Sequence, residues 1–277
     1  MTLHPASTGT GIVFHRTDIG QEARIRALAT NVSSTARSTT LSENGADIMT
    51  IEHLMSAAFG MGIDNMLVEI DSVEVPILDG SSLPYVKAFE KAGIVQQESE
   101  RACLTVKEPF HYKDPDSDGE ITILPSDHLT IDLTCDFNSR VLGVQKFKYD
   151  SAIDYASEIA PCRTFCFLHE LEYLAANGLI KGGDMQNAIV IVEHPVEKER
   201  LQSLKALFGV EDVELDVHEG YLNNLKLHFE NEIVRHKMLD ILGDFALAGA
   251  PINGTIIAHK TGHRINTTAC RMLLELS

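Results

Sequence analysis

Short runs of alternating apolar and polar residues fill the first fifty positions, the period of strands rather than helices. Residues 11–16 read as one strand, and residues 23–29 alternate in the same way. Residues 38–41 and 47–50 flank a Ser-Glu-Asn-Gly turn at 42–45, which predicts a hairpin. After Thr50, a good N-cap, the period lengthens: Ile51, Leu54, Met55, Ala58 and Phe59 predict a helix that ends at Gly60 or Gly62. An apolar strand follows at 65–70, then a turn through Pro76-Ile77-Leu78-Asp79-Gly80 and a helix from about Pro84 to Ala92. The polar break Glu98-Ser99-Glu100-Arg101 suggests two domains, 1–98 and 99–277. Strand-like segments resume at 104–112, 120–124, 129–137 and 145–149, and a helix at roughly 151–158 leads into Arg163-Thr164-Phe165-Cys166-Phe167. A longer helix, His169 to Asn177, should end at Gly178; Lys181-Gly182-Gly183 then precedes a strand at 188–192. Residues 195–225 are more charged and read as an inserted helix and strand. A helix from about Phe229 to Ala248, a strand at 254–259, the turn Thr261-Gly262-His263 and a last helix to Leu276 complete the chain.

This order repeats. In each part a histidine-bearing helix leads through glycine to a strand, a turn and a second helix. The repeat predicts an α+β fold of two similar halves, each a sheet packed on a helical layer. If the helical layers face each other, His53 and His236 meet.

Composition narrows the class. At 277 residues with 44% apolar and 23% charged content, the chain can bury a large core and is ordinary for a globular protein. A net charge of −17 argues against nucleic acid and against adhesion to an anionic membrane, but not against a small anionic substrate held by a local field. No basic start precedes an apolar run, and no stretch of about 18 apolar residues predicts a transmembrane segment. Cys103, Cys135, Cys162, Cys166 and Cys270 are odd in number and scattered, which reads as reduced thiols in a cytoplasmic protein. Nothing in the pattern sets an oligomeric state.

The candidate chemistry lies in the helix around residue 240. His236, Asp240 and Asp244 recur every four residues and form a column on one face. An imidazole and a carboxylate one turn apart suit zinc, although a solvated His–Asp pair fits the same spacing. A catalytic zinc site wants a third protein ligand, and His53 is the best candidate among the twelve histidines. Glu52 beside it can act as general base on a metal-bound water, or simply meet the helix dipole. His263 can act as general acid, or face solvent from its turn. Lys237 and Lys260 can be surface lysines or can draw in a phosphorylated substrate. Thr164 can be a plain strand residue.

The blocks Thr50-Ile51-Glu52-His53-Leu54, Gly62-Ile63-Asp64-Asn65, Pro76-Ile77-Leu78-Asp79-Gly80-Ser81, Arg163-Thr164-Phe165, Gly182-Gly183, His236-Lys237-Met238-Leu239-Asp240 and Gly262-His263 occur in this order. Together they closely resemble the UDP-3-O-acyl-N-acetylglucosamine deacetylases, the zinc amidases of lipid A synthesis, from about residue 2 to the end. The resemblance implies a zinc held by His53, His236 and Asp240, with Glu52 as general base and His263 as general acid. Asp244 is counted with the catalytic residues. Thr164 would help hold the oxyanion and Lys237 would supply positive charge. Lys260 would lie near the nucleotide diphosphate of a UDP-linked acylated amino sugar. Phe165, Phe167, Gly183, Ala188 and Val190 would line the passage for its acyl chain. The implied fold is two α+β halves, each a mostly antiparallel sheet with two helices, with the active site between the helical layers and inserts at about 31–50 and 178–195. Three departures stand out. The family's opening strand and Gly-x-Gly-x-His turn do not precede Thr2, so an exposed sheet edge and lower stability are expected. Arg37 stands where Met or Leu is usual near the mouth of the acyl passage. Asn138-Ser139-Arg140 replaces Asn-His-Pro. Two other readings accompany the enzyme: a non-catalytic homologue that binds a UDP-sugar, and an amidase for another N-acetyl sugar. Intact Glu52 and His263 favour the enzyme.

Overall fold

The structure is a computed structural model; it describes residues 1–171, 187–197, 199–200, 202, 205, 217–218, 220–222 and 226–276. The first half opens with β1 (Thr2–Pro5), β2 (Ile12–Arg16) and β3 (Arg24–Arg26). A small antiparallel sheet follows: β4 (Val32–Ser34), β5 (Thr40–Glu43) and β6 (Ala46–Ile48). It contains the expected hairpin. Next come helix α1 (Glu52–Gly60), β7 (Met66–Ile70) and helix α2 (Leu83–Ala92). The main sheet has the order β1-β7-β2-β3, with β7–β2 parallel and its other pairs antiparallel.

The second half contains β8 (Leu104–Thr105), β9 (Phe110–Lys113), β10 (Glu120–Pro125), β11 (Thr130–Asp136), β12 (Val144–Tyr149) and the one-turn helix α3 (Tyr155–Glu158). After β13 (Phe165–Phe167), β14 (Ile189–Ile191), β15 (Val217–His218) and β16 (Tyr221–Leu222) come helix α4 (Glu232–Phe245), β17 (Ile252–His259) and helix α5 (His263–Glu275). Within the large sheet, β10-β17-β11-β12 repeats the first sheet's order, again antiparallel, parallel, antiparallel. The duplication is thus present in pairing direction as well as in order, and α1 corresponds to α4. β9 extends the large sheet beyond β10, and β8 pairs with β17.

Three expected elements differ. The 104–112 segment divides into two strands, and the helix expected at 151–158 shrinks to four residues. The helix expected from 229 to 248 is α4 alone, followed by a 3-10 turn at Ala246–Ala248. The helix expected at 169–177, together with Lys181-Gly182-Gly183, lies mostly or wholly outside the described residues.

One hydrophobic cluster runs through both halves, from Phe14, Ile25, Leu54 and Val68 to Ile121, Leu133, Leu239, Leu242 and Leu273. α4 sits inside it. Every residue of this helix except Arg235 and Lys237 is buried, so its apolar residues are not confined to one stripe. The 98–101 stretch is exposed and outside any strand or helix. No helix among the described residues is long and apolar enough to cross a membrane.

Candidate metal centre and acid–base pair

α1 and α4 touch backbone to backbone. A Cβ placed on Gly243 would lie 2.2 Å from the Glu52 carbonyl oxygen, so only glycine permits this approach. The contact sets the turn that bears His53 beside the turns that bear His236 and Asp240. The His53 and His236 rings meet edge to face with centroids 5.1 Å apart. One ligand atom each from His53, His236 and Asp240 lies within 4.8 Å of the others, and all three residues are buried.

The hydrogen bonds prepare these atoms for a cation. His236 Nδ1 lies 3.0 Å from the Cys162 carbonyl, which can only accept, so Nδ1 carries the proton and Nε2 keeps its lone pair. That Nε2 is 3.6 Å from Asp240 Oδ1. His53 Nδ1 is buried and has no hydrogen-bond partner, an orphaned polar atom beside the cluster. Burial, with His236 nearby, pushes the His53 imidazole down to about 3. Burial also lowers His236. Burial opposes ionisation of Asp240, but Lys237 and then His236 hold its carboxyl well below the usual range. Two neutral imidazoles and one ionised carboxylate at a single point fit a divalent metal with nitrogen and oxygen ligands.

Beside the cluster lies a carboxylate–imidazole pair. Glu52 opens α1, but Thr50 is not its cap as the sequence pattern predicts. Thr50 adopts a left-handed backbone (φ 58°) and its hydroxyl donates to Glu74 Oε1 at 2.9 Å. Glu52 Oε2 instead accepts the Thr39 N–H at 3.1 Å, and Oε1 lies 3.8 Å from His263 Nε2. Burial pushes the Glu52 carboxyl up to about 7, against the pull of His263 and with the help of Asp240 and Asp244.

His263 is the first residue of α5, not a residue of an open turn. Its Nδ1 donates to Asp244 Oδ2 at 2.9 Å. Asp244 is fully buried and also accepts from Asn266 Nδ2 at 2.9 Å and from the Thr39 hydroxyl at 2.7 Å. Burial works against the charged imidazole of His263, yet Asp244, Glu52 and Asp240 outweigh it and hold the group up at about 10. Thr39 and Asn266 were not visible as site residues in the sequence. Asn266 follows His263 by less than one turn, but Thr39 sits in a Thr-Thr pair with no distinguishing spacing.

The remaining candidates divide. Lys237 Nζ donates to Asp240 Oδ2 at 2.6 Å and so joins the cluster. Thr164 donates its N–H to Gly80 at 2.7 Å and accepts from the Ile189 N–H at 2.8 Å. The Pro-Ile-Leu-Asp-Gly turn is therefore a backbone dock for the Thr164 segment. A Cβ on Gly80 would strike the Asn187 carbonyl at 1.9 Å. The same segment is clasped by buried Glu232, which accepts the Arg163 N–H at 3.0 Å and Nε at 2.9 Å. Phe165 presents its ring to His236 at 6.3 Å and to Phe137 at 5.5 Å.

Strand alternation separates the proposed acyl-passage residues. Phe165 and Phe167 pair with Ile189 and Ile191 and pack toward Leu142 and Ile233. Cys166 and Val190 face the other way, toward Leu168, Val192 and Leu222. Ala188 is half-buried before β14, and Gly183 lies outside the described residues. Lys260 pairs with Asp136 at 2.9 Å. Together with His263, Thr35 and Arg264 it lines an open cleft of about 360 Å³. Arg37 is exposed with φ 72°. Ser139 bonds Glu193 through its hydroxyl.

Two histidines and an aspartate that could hold a metal ion lie beside a buried carboxylate–imidazole pair, between two copies of one α+β unit, a layout that fits a mononuclear metalloenzyme. The chain belongs to the family described as LpxC, UDP-3-O-acyl N-acetylglycosamine deacetylase, whose match covers residues 1–205 and 211–275. It is 41% identical over 273 residues to the "Bifunctional enzyme LpxC/FabZ" of Porphyromonas gingivalis, covering 99% of this chain and 59% of that protein. It is 40% identical over 279 residues to the UDP-3-O-acyl-N-acetylglucosamine deacetylase of Geotalea uraniireducens, covering 100% and 82%. The corresponding protein of Myxococcus xanthus is 39% identical over 276 residues, covering 99% and 79%. The chain thus spans 59% of the length of the bifunctional relatives it matches.

Proposed function

We propose that this protein is a zinc-dependent amidohydrolase. It removes the N-acetyl group of UDP-3-O-acyl-N-acetylglucosamine in lipid A biosynthesis, giving UDP-3-O-acyl-glucosamine and acetate. The observation that carries this reading is the buried His53, His236 and Asp240 cluster with the Glu52–His263 pair against it. Family membership and the names of the relatives support the choice of substrate.

Zinc held by His53, His236 and Asp240 would polarise the acetyl carbonyl and lower the pKa of a coordinated water to about 7. Glu52 takes the proton of the attacking water; its Oε1 lies 3.8 Å from His263 Nε2, so base and acid face the same point. The Thr164 hydroxyl and the Lys237 ammonium offset charge on the acetyl oxygen. His263, kept protonated by Asp244 and Glu52, delivers its proton to the glucosamine nitrogen, which then leaves as an amine. Lys260 meets the diphosphate at the cleft it shares with His263, and this local charge serves an anionic substrate in an acidic protein. Phe165, Phe167, Gly183, Ala188 and Val190 remain the proposed acyl-chain contacts; Phe165 and Phe167 face one side of the small sheet and Val190 the other. A cytoplasmic setting agrees with the five free cysteines. The boundary between the proposed domains is placed at 98/99.

The test joins metal analysis to an acetate-release assay on the purified protein. One zinc per chain and acetate from the UDP-sugar are expected. His236→Ala should lose zinc and turnover while remaining folded. Full zinc occupancy in that variant would misplace the site. Zinc without acetate release would favour a binding-only homologue.

A further inference from the structure

We propose that Thr39 is a positioning residue that couples the general base to the general acid. The proposal rests on the acid–base roles given above to Glu52 and His263. Thr39 is fully buried and uses both of its donors on this site. Its main-chain N–H donates to Glu52 Oε2 at 3.1 Å, and its hydroxyl donates to Asp244 Oδ1 at 2.7 Å. Asp244 in turn orients His263 through the 2.9 Å bond to Nδ1. Three facts aim the residue. Arg37 turns the chain through a left-handed conformation, Thr39 accepts the Ile51 N–H at 3.5 Å, and β5 begins at Thr40. The insert that carries Thr39 is thereby part of the acid–base apparatus and not only a wall of the substrate cleft.

The hydroxyl is the separable part, because any residue but proline at position 39 keeps the main-chain donor to Glu52. Without it Asp244 Oδ1 has lost a donor in a buried place, and the carboxylate that orients His263 is held by Asn266 and His263 on Oδ2 alone. A misplacement of that carboxylate costs up to about a hundredfold in rate. It acts on the chemical step, not on substrate capture.

Steady-state acetate release, zinc content and thermal melting of Thr39→Val and Thr39→Ser test this. For Thr39→Val, kcat should fall roughly 10- to 100-fold with KM within about twofold and zinc retained. Thr39→Ser, which restores the donor, should recover kcat to within about threefold of the parent. In a His263→Ala background, Thr39→Val should cost less than about twofold more, since Thr39 acts through the His263 unit. If Thr39→Val does not fold, the contrast of Thr39→Ser with Thr39→Ala reads the same hydroxyl. Parent kcat in Thr39→Val, or a serine variant as slow as valine, would overturn the role of Thr39 alone. Parent turnover in His263→Ala would overturn the acid–base reading and Thr39 with it.

Discussion

Glu52 is a residue the fold disfavours in its ionised form. Its folded pKa, about 7, stands above the ordinary 4.5, so the fold loses stability as pH rises from 4.5 to about 7 and does not regain it above. In metal-stripped protein, Glu52→Gln should therefore melt higher than the parent at pH 8, by roughly 1–3 kcal/mol. The two should converge below about pH 4.5. A glutamine variant that melts lower at pH 8 refutes this. The same change should cost turnover about 10²–10⁴-fold, a trade of activity for stability. His263 has the opposite sign. Its pKa is raised to about 10 from 6.5, so its contribution is full below 6.5 and is lost as pH rises through about 10. The titratable residues of this site were legible in the sequence because imidazoles and carboxylates are few and sit inside specific blocks. Thr39 was not, because a hydroxyl reaching Asp244 across 205 positions leaves no spacing to read. The Arg163–Glu232 clasp was hidden for the same reason, 69 positions apart.

At the scale of elements, the contact of α1 with α4 depends on one missing side chain. Intrinsic helix propensity alone would favour Gly243→Ala by about 1 kcal/mol. The structure predicts the reverse sign, because the new Cβ meets main chain at 2.2 Å, and main chain cannot rotate away. Denaturant melts should show a loss of roughly 1–3 kcal/mol, and zinc titration a weaker affinity. A more stable Gly243→Ala with unchanged zinc binding would show that the helices do not meet as described. The type of most elements among the described residues was legible from period alone. Boundaries were less so where tertiary contacts override local preference. Thr50 is a good cap by composition, yet its hydroxyl goes to Glu74. The face assignments of β13 and β14 needed the register, since strand alternation puts Val190 on the other face of the sheet from Phe165.

For the whole molecule, the repeat of strand order and of parallel and antiparallel pairing was foreshadowed by the order of elements, although register cannot be read from a single sequence. Each repeat contributes part of the proposed ligand set, and this has a consequence in time. His53 and His236 are separated by 236 − 53 = 183 positions, so nearly two-thirds of the chain must be threaded into place before the three ligands converge. Closing so long a loop is slow, and α4 alone can offer only His236 and Asp240. During refolding from denaturant with zinc and a colorimetric indicator present, tight capture of the ion should lag behind the growth of far-ultraviolet β-sheet signal. The lag should disappear when unfolding is stopped short of separating α1 from α4. Zinc captured tightly in the first kinetic phase would mean that the ligands meet before the sheets do. The proposed metal would in this sense be a clock that starts only when the two repeats have found each other.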